Sequence, residues 1–229
     1  MALGRLQTSV GRVFTQRCFY LFVSLIVLIA VAPFFGDTVR GRFILNGAQV
    51  LVLIATVAAV GRTTMPFVIA VLLGIPAFGF QVLAQIQPED AARYLASAWG
   101  FALAFYIVAV SYLLTYVFSP KVMTNDKLFG AAAGYLMLGV AWAYAYNLAQ
   151  YLDPRAFTAR PGDAPRLFFD LLYMSFGCLT SNGPGDVVPA GSKVRALVML
   201  EQVVGTLFVA ILIARLAGIY PPKHETERQ

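Results

Sequence analysis

Long apolar blocks with almost no charge most constrain what this chain can fold into. A helix crosses the hydrocarbon core of a bilayer with about 20 apolar residues, and it satisfies its own backbone hydrogen bonds there. The long blocks occupy residues 18–35, 44–61, 65–86, 91–118, 128–152 and 194–220. Their lengths predict an all-α integral membrane protein with six transmembrane helices.

The charge content supports the same conclusion. Only 12% of the 229 residues are charged and 59% are hydrophobic, whereas a soluble domain carries about 25% charged residues. The net charge of +6 comes from lysines and arginines that lie singly or in pairs between the blocks. That distribution is typical of loops beside lipid head groups. It excludes the basic face of a nucleic-acid-binding protein, so the lipid bilayer is the expected partner.

The residues that usually carry enzyme or metal chemistry are sparse. Cys18 and Cys178 form no CxxC pattern, and His224 stands in a polar tail. The chain has neither an HExxH motif nor a serine–histidine–aspartate arrangement. We expect no enzyme activity, no cofactor and no metal held by side chains.

One apolar block is too short to cross a membrane. Residues 167–179 number about 13, a length typical of a re-entrant segment. Helix-starting residues precede this block, and residues that cannot continue a helix follow it. The first group is Pro161, Asp163 and Pro165, and the second is Gly183, Pro184 and Gly185. The pattern predicts a helix that enters the membrane and returns as extended backbone, which must be buried in protein or line water.

The segment 173–189, YMSFGCLTSNGPGDVVP, resembles the signature of potassium channels, in which a short pore helix leads into Thr-Val-Gly-Tyr-Gly-Asp. The two align without gaps. Ser181 stands at the threonine, and Gly183, Gly185 and Asp186 match directly. The flanks 151–157, 200–205 and 212–216 are also similar to bacterial members of that family, so the resemblance covers about 127–220.

The resemblance implies a homotetrameric pore in which each subunit supplies an outer helix, a pore helix, a filter and an inner helix. Potassium or sodium would bind only in the filter, as a permeant monovalent cation. Carbonyl groups can replace an ion's water shell when several point inward, and glycine permits the backbone angles that this needs. The implied ion-binding residues are Thr180, Ser181, Asn182, Gly183, Pro184, Gly185 and Asp186. At the outer mouth, Asp186 either attracts cations or braces the loop.

Two positions depart from the potassium-channel signature. Asn182 replaces valine, and Pro184 replaces a tyrosine that supports the filter in the family. Proline has neither a hydroxyl nor an N–H group to replace that support, and the amide of Asn182 needs polar partners. We expect a potassium-conducting channel with reduced discrimination against sodium. The alternatives are a weakly selective cation channel on the same fold and a non-conducting scaffold that keeps the pore fold.

Three residues of the last block also stand out. Gly205 lies where the family keeps a hinge glycine, although a small residue there can equally serve close helix packing. Glu201 is an ionisable group inside a span, which usually faces protein or water. It either braces the pore helix or lines the cavity. We expect Arg215, near the end of the block, to extend its charged group to the membrane surface.

The chain divides into four segments. We expect a four-helix transmembrane domain at 1–119, a linker at 120–126, the pore domain at 127–220, and a short cytoplasmic tail at 221–229 with no soluble regulatory domain. Between Tyr94 and Pro120 there is no lysine or arginine, so we expect no voltage sensor, because steep gating needs several mobile charges. The resemblance implies a filter on the outside of the cell, and an even number of spans then places both termini in the cytoplasm. We expect the chain to reside in the cell membrane, which is the inner membrane in a bacterium.

Overall fold

The computed structural model describes residues 17–35, 47–48, 51–52, 54–56, 64–119, 124–158, 168–183 and 185–219. This part of the chain is mostly helical. The helices are α1 (Arg17–Phe35), α2 (Thr64–Ile86), α3 (Ala91–Val117), α4 (Asn125–Leu152), α5 (Phe168–Leu179) and α6 (Ser192–Ile219). A 3₁₀ turn at Pro88–Asp90 joins α2 to α3, and two short strands are β1 (Phe157–Thr158) and β2 (Val188–Pro189).

Four of the described helices are long and apolar enough to cross a membrane. They are α2, α3, α4 and α6, while α1 and α5 are shorter apolar helices. The protein is therefore a multi-pass membrane protein. The predicted block 44–61 is helical at 47–48, 51–52 and 54–56, and its other residues lie outside the described part. The other blocks begin and end within three residues of the observed helices.

Helix α4 forms the centre of the described structure. It packs against α1, α3, α5 and α6, and its buried Met137 shares a core with Leu21 of α1 and Phe105 of α3. Its first turn also anchors two other helices. The carboxylate of Asp126 accepts a hydrogen bond from the Cys18 backbone N–H at 3.0 Å and another from the Tyr116 hydroxyl at 2.7 Å.

A second, smaller core positions the segment of interest. It gathers residues of α4, α5, β1, the chain just before β2 and the start of α6, among them Tyr146, Met174 and Val187. The strands pair antiparallel, with Phe157 opposite Pro189. This pairing ties the chain just after α4 to the chain just before α6. Residues 180–186 therefore lie in a segment held at both ends, by α5 before it and by β2 after it.

Candidate functional site

Helix α5 is short because it ends in a specific cap. The Ser181 N–H donates to the Cys178 carbonyl at 2.9 Å, and the Asn182 N–H donates to the Gly177 carbonyl at 2.9 Å. Ser181 has φ 61°. This pair of bonds around one left-handed residue is a Schellman motif, which commonly terminates helices. The prediction of extended backbone directly after the helix is therefore wrong, since residues 180–182 turn to satisfy the last carbonyls of α5.

Three of the six described residues of the candidate filter, residues 180–186, have left-handed backbone angles. Positive φ values occur at Ser181 (61°), Gly183 (95°) and Gly185 (64°), and Asn182 between them has none. Left-handed conformations are readily adopted by glycine and are uncommon for other residues. The two glycines thus stand at positions that require them. Pro184 lies outside the described residues.

The N–H bonds of this segment fix where its carbonyl groups point. In a trans peptide the C=O of one residue is antiparallel to the N–H of the next, and the described peptides include no cis bond. The N–H groups of Ser181, Asn182 and Gly183 all donate back to carbonyls of α5. It follows that the carbonyls of Thr180, Ser181 and Asn182 all point away from α5.

The polar side chains of the segment bond locally and to α6. The Thr180 hydroxyl donates to the Phe176 carbonyl at 2.7 Å and accepts from the Asn182 amide at 3.1 Å. The Thr206 hydroxyl donates to the Gln202 carbonyl at 2.9 Å, so its 3.0 Å contact with Ser181 leaves the serine as the donor. The Asn182 amide thus has a partner in Thr180, and the serine hydroxyl is tied to α6.

Glu201 lies completely buried between three helices. Its carboxyl oxygens are 2.5 Å from the Tyr146 hydroxyl of α4 and 2.5 Å from the Ser175 hydroxyl of α5. The Ser175 hydroxyl also lies 2.7 Å from the Gly139 carbonyl of α4. One side chain of α6 thereby links the two helices on which the candidate filter rests. These contacts favour the bracing role over the cavity-lining role.

Gly205 marks the closest approach of α6 to the end of α5. A Cβ at this position would overlap the Leu179 carbonyl oxygen and stand 2.9 Å from its carbon. The same carbonyl accepts a hydrogen bond from the Tyr135 hydroxyl of α4 at 3.0 Å. Gly205 therefore has a packing role that only glycine can fill, because any side chain would push α6 away. The hinge role stays a prediction.

An aromatic ring of α5 and the strand pair lie beside the last residues of the segment. A ring carbon of Tyr173 would stand 3.2 Å from a Cβ at Gly185, so the α5 tyrosine lies close beside that glycine. Asp186 is exposed, and Val187 directly after it is buried. Arg195 then fixes the return of the chain by donating to the Pro189 carbonyl at 3.1 Å.

At its far end α6 is fastened to α3. The Arg215 guanidinium donates to the Phe118 carbonyl at 2.6 Å and to the Ser119 carbonyl at 2.5 Å. Lys127 of α4, which is buried, donates to the same Ser119 carbonyl at 3.1 Å. These bonds place the guanidinium at the carbonyl end of α3, where a cation is favoured, and its expected extension to the membrane surface stays a prediction.

Several of these supporting residues escaped prediction. Tyr146 and Glu201 are 55 positions apart, Ser175 and Glu201 are 26 apart, and Tyr135 and Leu179 are 44 apart. Only the fold brings them together. The available signal was general: a polar side chain within an apolar helix needs a partner, and this applies to Ser175, Tyr135 and Thr206. Among the described residues there is no group of three or more potential metal-ligating side chains.

Two comparisons with known proteins bear on this region. A family model described as an ion channel matches residues 132–220. Protein LctB of Bacillus caldotenax is 31% identical over 97 residues, which cover 41% of this chain and 72% of that protein. No solved structure matches the chain significantly.

The matched residues run from α4 through α5 and the candidate filter to α6. Two long apolar helices that flank a short helix and a loop of aligned carbonyls define a class of membrane channel subunit. The chain belongs to the potassium-channel-like ion channel family. Members of this family are channels, which let ions cross a membrane and do not catalyse a chemical reaction.

Proposed function

We propose that four copies of this chain form a pore that conducts monovalent cations, potassium foremost. The observation that carries the proposal is the alignment of the Thr180, Ser181 and Asn182 carbonyls, which follows from three N–H bonds back to α5. Carbonyl rings of this kind can replace the hydration shell of a cation. The C-terminal end of α5 adds its negative dipole end beside them.

A single subunit supplies only one side of such a ring, so the proposal requires a symmetric assembly. The surface of α6 supports this requirement. Its residues Met199, Leu200, Val203 and Leu207 are large, apolar and exposed in the single chain. These side chains would face the neighbouring copies, the pore or lipid. Thr180, Ser181 and Asn182 are likewise exposed on the single chain, as residues that border a shared axis would be.

The substitutions in the filter favour weak discrimination between potassium and sodium. Proline at position 184 lacks the tyrosine hydroxyl of the family signature. The side-chain amide of Asn182 donates to the neighbouring Thr180 hydroxyl at 3.1 Å. This hydrogen bond stays within the filter and does not connect the filter to α5. With fewer supports behind it, the filter can adjust its width to the smaller ion. We therefore propose selectivity below that of channels with the standard signature.

The arrangement in the membrane follows from the same proposal. With six spans, both termini lie on one side, and the filter of this family faces the outside of a cell. The termini would then be cytoplasmic and the channel would reside in the cell membrane. The four N-terminal spans, which are α1, the block 44–61, α2 and α3, would form a scaffold around the pore without a voltage sensor.

Ion flux through purified protein in liposomes tests the proposed function. Potassium, sodium and calcium gradients are compared, and we expect potassium flux to exceed sodium flux by a modest ratio, with little calcium flux. The matched control is Gly183→Val, because valine is strained at φ 95° and should disrupt the filter while leaving α4, α5 and α6 in place.

Two results would decide between the alternatives. Equal potassium and sodium flux would support the weakly selective channel. An assembled wild-type protein with no more flux than the Gly183→Val variant would contradict conduction and support the non-conducting scaffold. The double variant Asn182→Val and Pro184→Tyr should raise the potassium-to-sodium ratio if those two positions set it.

A further inference from the structure

The carbonyl of Gly183 points in a different direction from the carbonyls of the three residues before it. A Cβ built on Gly177 would overlap the Gly183 carbonyl oxygen. That oxygen therefore lies against the Cα of Gly177, in the space that any other residue would fill. The Gly183 N–H also donates to the Gly177 carbonyl, at 3.1 Å. Both polar groups of Gly183 thus face α5.

The three carbonyls of Thr180, Ser181 and Asn182 form a row, and the carbonyl direction changes at the next residue. The carbonyls of Thr180, Ser181 and Asn182 point away from α5, whereas the Gly183 carbonyl points toward it. Glycine at 183 permits this change because its φ of 95° is accessible without a Cβ. Tyr173 of α5 also lies close to Gly185 in the following turn.

We propose that the ion-coordinating row ends at the Asn182 carbonyl, and that Gly177 determines selectivity by giving the Gly183 carbonyl a place to turn away. This inference rests on the proposed function. Gly177 touches no ion itself and acts as a positioning residue behind the filter. A shorter row replaces less of the hydration shell over the length of the pore, so it separates potassium from sodium less strictly.

The chain offers a direct probe of this carbonyl. Gly-Pro occurs once in the sequence, at 183–184, and Ser-Asn occurs once, at 181–182. Solid-state NMR of the full-length protein in bilayers can therefore observe the Gly183 carbonyl alone, with ¹³C-carbonyl glycine and ¹⁵N-proline. The Ser181 carbonyl is observed alone with ¹³C-carbonyl serine and ¹⁵N-asparagine, and it serves as the matched reference.

The experiment replaces N-methylglucamine, which is too large to enter a filter, with potassium. We expect the Ser181 carbonyl signal to move by more than its line width and the Gly183 signal to stay in place. A Gly183 signal that moves as far as that of Ser181 would overturn the inference and leave the proposed function intact. If neither signal moves, no ion binds at these carbonyls, and the proposed function fails together with the inference.

The Gly177→Ala variant tests the same point through function. A methyl group there would displace the Gly183 carbonyl and return it to the row, so the potassium-to-sodium permeability ratio should rise by roughly threefold or more. Gly100→Ala is the matched control, since it is also a helical glycine and a Cβ there would meet nothing within 4 Å. An unchanged ratio in an assembled Gly177→Ala variant would overturn the role of Gly177. If the variant does not assemble, the NMR comparison on the wild-type protein decides.

Discussion

Helices α4 and α6 are each 28 residues long, yet the single chain buries them to very different extents. In their most apolar stretches, 56% of α4 is buried against 22% of α6. Helix α4 is enclosed by four neighbouring helices of its own chain. Helix α6 presents most of its apolar surface outward. The fold of one chain therefore buries most of the surface of α4, whereas most of the surface of α6 is left for lipid or other copies to cover.

The sequences of the two helices explain the difference. Helix α4 carries small buried residues around its circumference, among them Gly130, Ala133 and Gly139, and these let neighbours approach from several sides. Helix α6 buries one stripe at spacings of three and four residues, as expected for a helix packed on one face. That stripe consists of Val194, Val198, Glu201, Gly205 and Phe208. The buried attachment of α6 to its own subunit passes through this stripe, and Arg195, Thr206 and Arg215 add hydrogen bonds outside it.

The largest effect should come from filling the closest contact of α6. We expect Gly205→Ala to destabilise the protein by about 2 to 3 kcal/mol, because the added methyl overlaps a backbone carbonyl that cannot move aside. Gly134→Ala on α4 is the control, since a Cβ there would meet side-chain atoms at 3.5 Å, an ordinary contact distance. The midpoints of thermal unfolding in detergent measure both. Equal unfolding midpoints for the two variants would contradict the conclusion that α6 tolerates an added methyl group at its closest contact less well than α4 does.

The second effect concerns the buried carboxyl group. Glu201→Leu should cost about 2 kcal/mol, because it leaves the Tyr146 hydroxyl buried without a partner. Tyr146→Phe combined with Glu201→Leu should then cost less than the sum of the single changes, since the orphaned hydroxyl is gone. A double-mutant cycle on unfolding free energies measures this coupling. Strict additivity would show that the 2.5 Å contact contributes nothing to the attachment of α6.

The far end of α6 should give an intermediate effect. Arg215→Gln removes a charged group that donates to two carbonyls, and we expect a loss of about 1.5 kcal/mol. Arg215→Lys should recover only part of it, because an ammonium group lacks the planar fork of the guanidinium. Limited proteolysis at the segment that follows α3 provides a local measure. Cleavage rates unchanged in Arg215→Gln would contradict this attachment.

The smallest effect on stability should come from Thr206. Thr206→Val keeps the shape of the side chain but removes the partner of Ser181, which costs about 1 kcal/mol. Its functional effect should be clearer, since the potassium-to-sodium flux ratio depends on how firmly the filter is held. Thr206→Ser retains the hydroxyl and is the control. Valine and serine variants with the same flux ratio would show that α6 does not support the filter through this bond.

The sequence predicted the parts of this molecule that depend on local pattern. Apolar length located the described helices within three residues, and the spacing of Gly183 and Gly185 located two of the three left-handed backbone positions, but not Ser181. The supports of the site were not predictable in the same way. The bond between Tyr146 and Glu201 joins residues 55 positions apart, and the role of Gly177 depends on a carbonyl that folds back onto it. Such contacts exist only once the helices have packed.

The two buried cysteines can report where the packed helices separate locally. Cys18 lies in α1 and Cys178 in α5, and both thiols are buried. A thiol reacts with alkylating reagents as the solvated thiolate, so the folded protein should resist labelling at both positions. Mass spectrometry distinguishes the two peptides. Labelling at position 18 would report the release of α1 from α4, and labelling at position 178 would report the loosening of the wall behind the filter, each on its own timescale and without an engineered probe.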